Sequence, residues 1–211
     1  RSQFPVLAEA AEGVATPQIR NVGTLAGNLC QRPWCWYYRN GFPCYKAGGN
    51  RCFSFAGENQ FHAIFGGGPS YIVHPSDTAV ALVALEGDNE LVAGVALPAP
   101  PAPPVVRRSA YHKVMDRESW THAIVSAAVV LEMDGAVCRA ARIVLGGVAP
   151  VPWRVPDAER MLVGQRLTPT LAARAAAEAV AGASPLSKNG YKVALTTTVV
   201  ERTLVGLASR G

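Results

Sequence analysis

The stretch "HAIVSAAVVLEMDGAVCRAARIVLGGV", residues 122–148, decides the fold. Its two halves, "HAIVSAAVVLEM" and "VCRAARIVLGGV", are rich in β-branched and small apolar residues, and "DGA" separates them. Asp-Gly between two such runs is a strong short-range hairpin signal, so Asp134-Gly135 is placed at the bend of an antiparallel pair. Cys138 falls inside the second run and reads as a core residue. Working outward, three helical segments follow, roughly 156–163, 169–182 and 186–208. Thr168 ahead of Pro169 marks the start of the second. The last two carry Ala, Leu and Val at helical spacing. Residues 108–211 are therefore expected to form a small antiparallel sheet covered by helices, an α+β layer. On the other side of the hairpin, "PAPPAPP" at residues 98–104 reads as a stiff extended linker spanning 98–107 and as the clearest boundary in the chain.

Ahead of that boundary the texture differs. Residues 4–13, "FPVLAEAAEG", read as a short helix ending at Gly13. "TPQIRNVGTLAGNL", residues 16–29, has Gly23 and Gly27 flanked by Thr24, Ala26 and Asn28. Small residues at this density let a backbone approach a ligand and point N–H groups at it. "NVGTLAGN" is neither a dinucleotide G-x-G-x-x-G fingerprint nor a P-loop, so a phosphate cradle and an ordinary Gly-rich turn both fit it. Ser70–Val73 reads as a strand. "SDTAVALVALEG", residues 76–87, reads as a buried helix capped by Ser76 or Asp77 and stopped by Gly87.

Four of the five cysteines, Cys30, Cys35, Cys44 and Cys52, crowd into the loop 28–52 in the pattern C-x4-C-x8-C-x7-C. The chain carries a net charge of +5, and no acidic residue stands between Glu12 and Glu58, where Arg20, Arg32, Arg39, Lys46 and Arg51 lie. This positive island implies something negative in or near it: a phosphate, a thiolate-bound cluster or an acidic partner. Four readings of the thiols compete. Disulfides need an oxidising compartment, and a chain of 211 residues does not need them to fold. Structural zinc favours C-x2-C knuckles, which are absent. Buried thiols are common, but not among so many turn-forming residues. An iron–sulfur cluster accepts an irregular loop, and basic residues would offset its charge. Nothing points to nucleic acid, because no Lys/Arg run exceeds two residues and no recognition motif appears. No apolar run is long enough for a transmembrane span, and the start does not read as a signal peptide. Since the chain begins at Arg1, it is expected to be processed, truncated or part of something longer.

"TPQIRNVGTLAGNLCQRPWCWYY" followed by "HPSDTAVALVAL" resembles the flavin-binding subunit of the molybdenum hydroxylases, the family of xanthine dehydrogenase, aldehyde oxidoreductase and carbon monoxide dehydrogenase. "RIVLGGVAPVPWR" resembles the C-terminal domain of the same flavoproteins, so the resemblance covers nearly the whole chain. It implies that residues 1–97 are the C-terminal part of a PCMH-type FAD-binding domain and 108–211 the flavoprotein C-terminal domain. It further implies FAD contacts at Val22, Gly23, Thr24, Leu25, Ala26, Gly27 and Asn28, with Ala26 standing where relatives have glycine. His74, Ser76 and Asp77 match the family's next helix start, and Ala79 stands where some relatives have asparagine. Lys113, in "YHKV", matches a basic residue near the flavin. The crowded cysteines resemble the subgroup with an additional [4Fe–4S] cluster, which makes Cys30, Cys35, Cys44 and Cys52 its candidate ligands, shielded by Trp34, Trp36, Tyr37 and Tyr38.

The resemblance implies an electron-transfer subunit that works only in a complex. A large molybdenum-cofactor subunit and a small [2Fe–2S] subunit are the expected partners, and FAD passes electrons on to an acceptor. No residue of this chain is expected to be catalytic toward substrate. Two departures stand out: relatives begin with a further FAD-gripping domain, and the stretch from Glu86 to Leu97 is short. The rival expectation is a non-enzymatic zinc scaffold or interaction module. Both a cytoplasmic location and export to the periplasm with a partner are compatible with the sequence.

Overall fold

The computed structural model describes residues 3–86, 96–117 and 121–209. The hairpin forms as expected. Strand β2 (Val125–Asp134) pairs antiparallel with β3 (Val137–Gly146), and the register runs from Ser126↔Gly146 to Asp134↔Val137 with an irregularity at Glu132/Met133. Gly135 takes φ 58° at the bend, a left-handed conformation that glycine adopts without strain. Strand β1 (Val106–Val114) adds to the free side of β2, and the short β4 (Trp153–Arg154) to β3, giving the order β1-β2-β3-β4.

One face of this sheet presents Ala127, Val129, Leu131, Ile143 and Leu145 to three helices: α6 (Pro156–Leu162), α7 (Pro169–Glu178) and α8 (Tyr191–Ala208). Ala158, Leu162, Ala172, Ala175, Val200 and Leu204 close that core. The opposite face carries Ala128, Val130 and Val144 and is also buried. It packs against α1 (Pro5–Glu12) through Val6 and Ala10, and against α5 (Asp77–Ala84) through Val80, Ala81 and Ala84. The sheet is thus the middle of three layers. β2 is buried from Val125 to Leu131, and the continuous apolar run "VSAAVVL" reflects a strand covered on both sides. The approach is close: a Cβ on Gly146 would stand 2.6 Å from Val80 Cγ2.

Between α1 and α5 the chain forms α2 (Pro17–Val22), α3 (Leu25–Leu29), the single turn α4 (Trp36–Arg39) and a 3-10 turn at Tyr45–Ala47. The expected strand Ser70–Val73 does not form. Only Val73 bridges, to Trp34, because Pro69 and Pro75 lack the N–H groups a longer ladder would use. Helix α5 is capped by Ser76, whose Oγ accepts from Ala79 N at 3.0 Å, and gives way at Leu85; Gly87 lies outside the described residues. The Pro-rich stretch is not extended throughout: it turns at Pro103-Pro104, where Val105 N donates to Ala102 O at 3.2 Å, and β1 starts at Val106, inside the expected linker. The last helix begins at Tyr191 rather than 186, because Asn189 Oδ1 accepts from Leu186 N at 2.6 Å and holds residues 186–190 in a turn. Among the described residues no helix is long and apolar enough to cross a membrane.

Candidate functional site

A cavity of about 530 Å³ opens between α1, the α2–α3 turn, the start of α5 and residues 121–122. Six nominated residues line it: Gly23, Thr24, Leu25, Gly27, Asn28 and Asp77. Thr24 caps α3, its Oγ1 accepting from Gly27 N at 3.0 Å. At its two glycines the turn is tight for a side chain. A Cβ on Gly23 would stand 3.0 Å from Ile19 O, and one on Gly27 3.1 Å from Thr24 Oγ1. Asn28 Oδ1 accepts from both Ser76 Oγ and Thr78 Oγ1, each at 2.6 Å, which ties the turn to the head of α5.

Asp77 is a buried hub. Its Oδ1 accepts from Tyr111 OH at 2.6 Å and its Oδ2 from Lys113 Nζ at 2.7 Å. Lys113 also donates to Gly13 O at 2.9 Å, so one ammonium joins the end of α1, the start of α5 and strand β1. Burial lifts the Asp77 carboxyl above its ordinary value, against the pull of Lys113 and Tyr111. Burial and the neighbouring Asp77 likewise push the Tyr111 hydroxyl well up, so it stays a donor.

The remaining nominated residues stand off the cavity. Val22 is 83% exposed, and Ala26 is not among the residues that line the cavity. Ser76 and His74 brace the framework, His74 Nδ1 accepting from Ser76 N at 3.3 Å. Burial pushes the His74 imidazole down. Lys113 reaches the cavity only through Asp77.

The sequence reading missed Arg20, Thr78 and His122 as lining residues. Arg20 donates to Val14 O at 2.6 Å, which anchors a guanidinium at the cavity. Its signal was present, since it opens the acid-free island. His122, preceding β2, is brought in by the fold alone; burial, with Arg39 and Lys113 nearby, lowers its pKa to about 4, so it is neutral at pH 7.

The cysteine loop packs beside this cavity. Cys35 and Cys44 are buried, Cys52 is half-buried and Cys30 is exposed; all four are free thiols. Cys44 and Cys52 lie close enough to push the Cys35 thiol up electrostatically, in addition to its burial. His62 Nε2 stands 3.3 Å from the Cys35 sulfur. Among the described residues no group of three or more His, Cys, Asp or Glu side chains could hold a metal ion, so Cys30, Cys35, Cys44 and Cys52 are not brought together as a ligand set. The aromatics cluster as two groups. Trp34 packs on Trp36, Phe61 and His122, and Tyr37 on Phe42 and Phe53. The basic residues tie up the loop itself: Arg39 donates to Pro33 O and Arg32 O, Arg32 lies over the Tyr38 ring, and Arg51 lies 4.2 Å from the Phe53 ring centre.

Residues 1–97 match the FAD binding domain in molybdopterin dehydrogenase, and residues 110–207 the CO dehydrogenase flavoprotein C-terminal domain. The chain is 32% identical to the aldehyde oxidoreductase FAD-binding subunit PaoB of Escherichia coli, over 92% of this chain and 69% of that protein. It is 31% identical to the carbon monoxide dehydrogenase medium chain of Afipia carboxidovorans, over 88% of this chain and 59% of that one. A carbon monoxide dehydrogenase structure from Hydrogenophaga pseudoflava superimposes with a TM-score of 0.60 at 26% identity, over 99% of this chain and 68% of that one. The chain therefore spans between 59% and 69% of the length of these relatives. The two domain matches and the level of identity show that the chain belongs to the family of FAD-binding subunits of molybdenum hydroxylases.

Proposed function

We propose that this chain is the electron-transfer flavoprotein subunit of a molybdenum hydroxylase complex. In that reading it receives electrons from [2Fe–2S] clusters of a small partner and passes them through FAD to an acceptor, while a large partner holds the molybdenum cofactor. The observation that carries the reading is the cavity itself: the Gly23–Gly27 turn and the Arg20 guanidinium, held to Val14 O, line the same space of about 530 Å³. Backbone N–H groups and a fixed cation are what a pyrophosphate requires. Thr24 and Asn28 shape the turn, and the Asp77–Lys113–Tyr111 hub holds α5 against it. Neutral His122 lines the wall without adding charge. When bound, FAD supplies exchange between one-electron and two-electron carriers.

The cysteine loop is proposed to hold an additional [4Fe–4S] cluster through Cys35, Cys44 and Cys52, with Cys30 as the fourth ligand. The support is the crowding of four thiols into an acid-free, aromatic-rich loop, with Cys35 and Cys44 buried and His62 Nε2 3.3 Å from the Cys35 sulfur. Each cysteine of such a cluster binds a different iron, so the sulfurs stand farther apart than around one zinc ion.

Absorption and metal analysis of the anaerobically purified assembly test both parts. Stoichiometric flavin and about four irons per chain are the expected result. A colourless protein with stoichiometric zinc favours the rival scaffold and overturns this reading. Arg20→Ala is expected to lower flavin occupancy, and Cys44→Ser to lower iron; unchanged contents would remove those residues from their roles.

A further inference from the structure

A second pocket, of about 320 Å³, lies against the first, and Thr121 and His122 line both. Its size is at the small end of ligand pockets, about 300–1,000 Å³, which suits one or two fused rings rather than a dinucleotide. Three aromatic side chains form one wall. Trp34 and Trp36 have ring centres 5.4 Å apart, and Phe61 stands 5.5 Å from Trp34 and 5.9 Å from Trp36. His122 meets Trp34 edge-on at 6.1 Å. The wall is held in place by the backbone, because Trp34 N donates to Val73 O at 3.1 Å across the Trp34–Val73 bridge. Trp36 opens α4 and keeps 41% of its surface exposed, so packing within the chain leaves much of this indole open. Asp116, Arg117 and Thr121 add a polar side, with Thr121 Oγ1 donating to Asp116 Oδ1 at 2.7 Å.

We propose that this pocket binds a planar quinone of one or two fused rings, an electron acceptor seated beside the flavin cavity; its redox role rests on the flavin reading given above, the site on the pocket alone. Indole is an electron-rich ring and a quinone an electron-poor one, so the two attract through their faces more strongly than two like rings do. The charges at the pocket disfavour a cation, the other common guest of an aromatic box. Arg39 and Lys113 lie near enough to His122 to help hold it neutral, and the same field repels a further positive charge. The Asp116 carboxylate is engaged by Thr121 and followed by Arg117, so these lining residues carry no net negative charge. A quinone is uncharged, and its carbonyl oxygens accept hydrogen bonds of the kind a guanidinium donates. Thr121 and His122 form a wall common to both spaces, so a ring in this pocket is the neighbour of a ring in the larger cavity.

The test is equilibrium dialysis of 2,3-dimethyl-1,4-naphthoquinone against the oxidised native assembly. Methyl groups block the ring positions that thiols attack, so the free cysteines do not consume this quinone. Saturable binding is expected, with a new broad absorption at long wavelength from the indole–quinone pair. Trp36→Leu, which removes the half-open ring, is expected to weaken binding about tenfold or more while flavin content stays at the wild-type level. Ala123→Leu, which fills the pocket from the segment before β2, should weaken it likewise. A wild type that binds no quinone overturns the inference and leaves the flavin reading standing. Binding that survives both substitutions unchanged places the quinone elsewhere and overturns it as well. Loss of flavin in an intact Trp36→Leu assembly would assign the pocket to the flavin ring and not to an acceptor. Should Trp36→Leu fail to assemble, Ala123→Leu decides alone. A wild type that binds quinone at this pocket but lacks flavin keeps the site and removes its redox role together with the flavin reading.

Discussion

Two buried cations set the residue scale, and the sequence hid the burial of both. Lys192 has no exposed surface and donates to Phe61 O, His62 O and Gly147 O at 2.8, 3.2 and 2.7 Å. Burial pulls its ammonium down to about 7, and those three carbonyls oppose the loss of its proton. Nothing in "NGYKVAL" distinguishes it from a surface lysine. Lys113 was legible as a basic residue near the cofactor site, but its engagement with Asp77 depends on a contact across 36 positions. Removing one partner of such a pair strands the other, so Asp77→Ala is expected to destabilise the fold by about 3 kcal/mol or more in urea unfolding. Adding Lys113→Met to Asp77→Ala should recover part of that loss, because the pair is then replaced rather than broken. Additive losses in the double variant would show that the two residues act independently.

At the scale of elements, short-range signals were readable and long-range ones were not. Ser76 and Thr168 cap their helices where the sequence placed them, and Thr24 caps α3 in the turn it singled out. Thr168 Oγ1 accepts from Leu171 N at 3.2 Å, so Thr168→Ala is expected to cost about 1 kcal/mol, read as a lower denaturation midpoint with an unchanged slope. The start of α8 was misplaced because Asn189 settles it with partners far away in sequence: its amide donates to His62 O and Ala63 O as well as closing its own turn. The strand at 70–73 failed for the opposite reason. Its residues suit a strand, but its partners are scattered: Val73 bridges to Trp34 while Tyr71 O accepts from Ala63 N, so no one neighbouring strand builds a ladder with it. The Gly-rich turn was legible from composition. Arg20 stood in the acid-free island, but His122 was not legible, because it joins the cavity wall from about 100 residues away.

For the whole molecule, the hairpin announced the sheet, while the third layer was concealed in the apolar evenness of β2. The packing also carries a pH dependence. In the unfolded chain His74 and His122 take up protons near pH 6.5, whereas in the fold burial holds both neutral to lower pH, His122 down to about 4. The unfolded state therefore binds more protons in that window. Stability present above about pH 6.5 should decline as the pH falls toward 4, and urea midpoints measured at pH 7.5, 6 and 5 check this. A constant midpoint across that range would contradict it. The three-layer arrangement also bears on how the chain tolerates being cut. Helices α1 and α5 reach β1, β2 and β3 through the core around Ala128, Val130 and Val144, so the two halves share one interior although proline separates them in sequence. A protease nick between Leu97 and Val105 would leave two fragments that co-migrate on a sizing column. Either fragment made alone would expose one face of an apolar sheet or two orphaned helices and aggregate. Peptide-bond continuity at the prolines is thus dispensable to the assembled molecule, while the company of the other half is not.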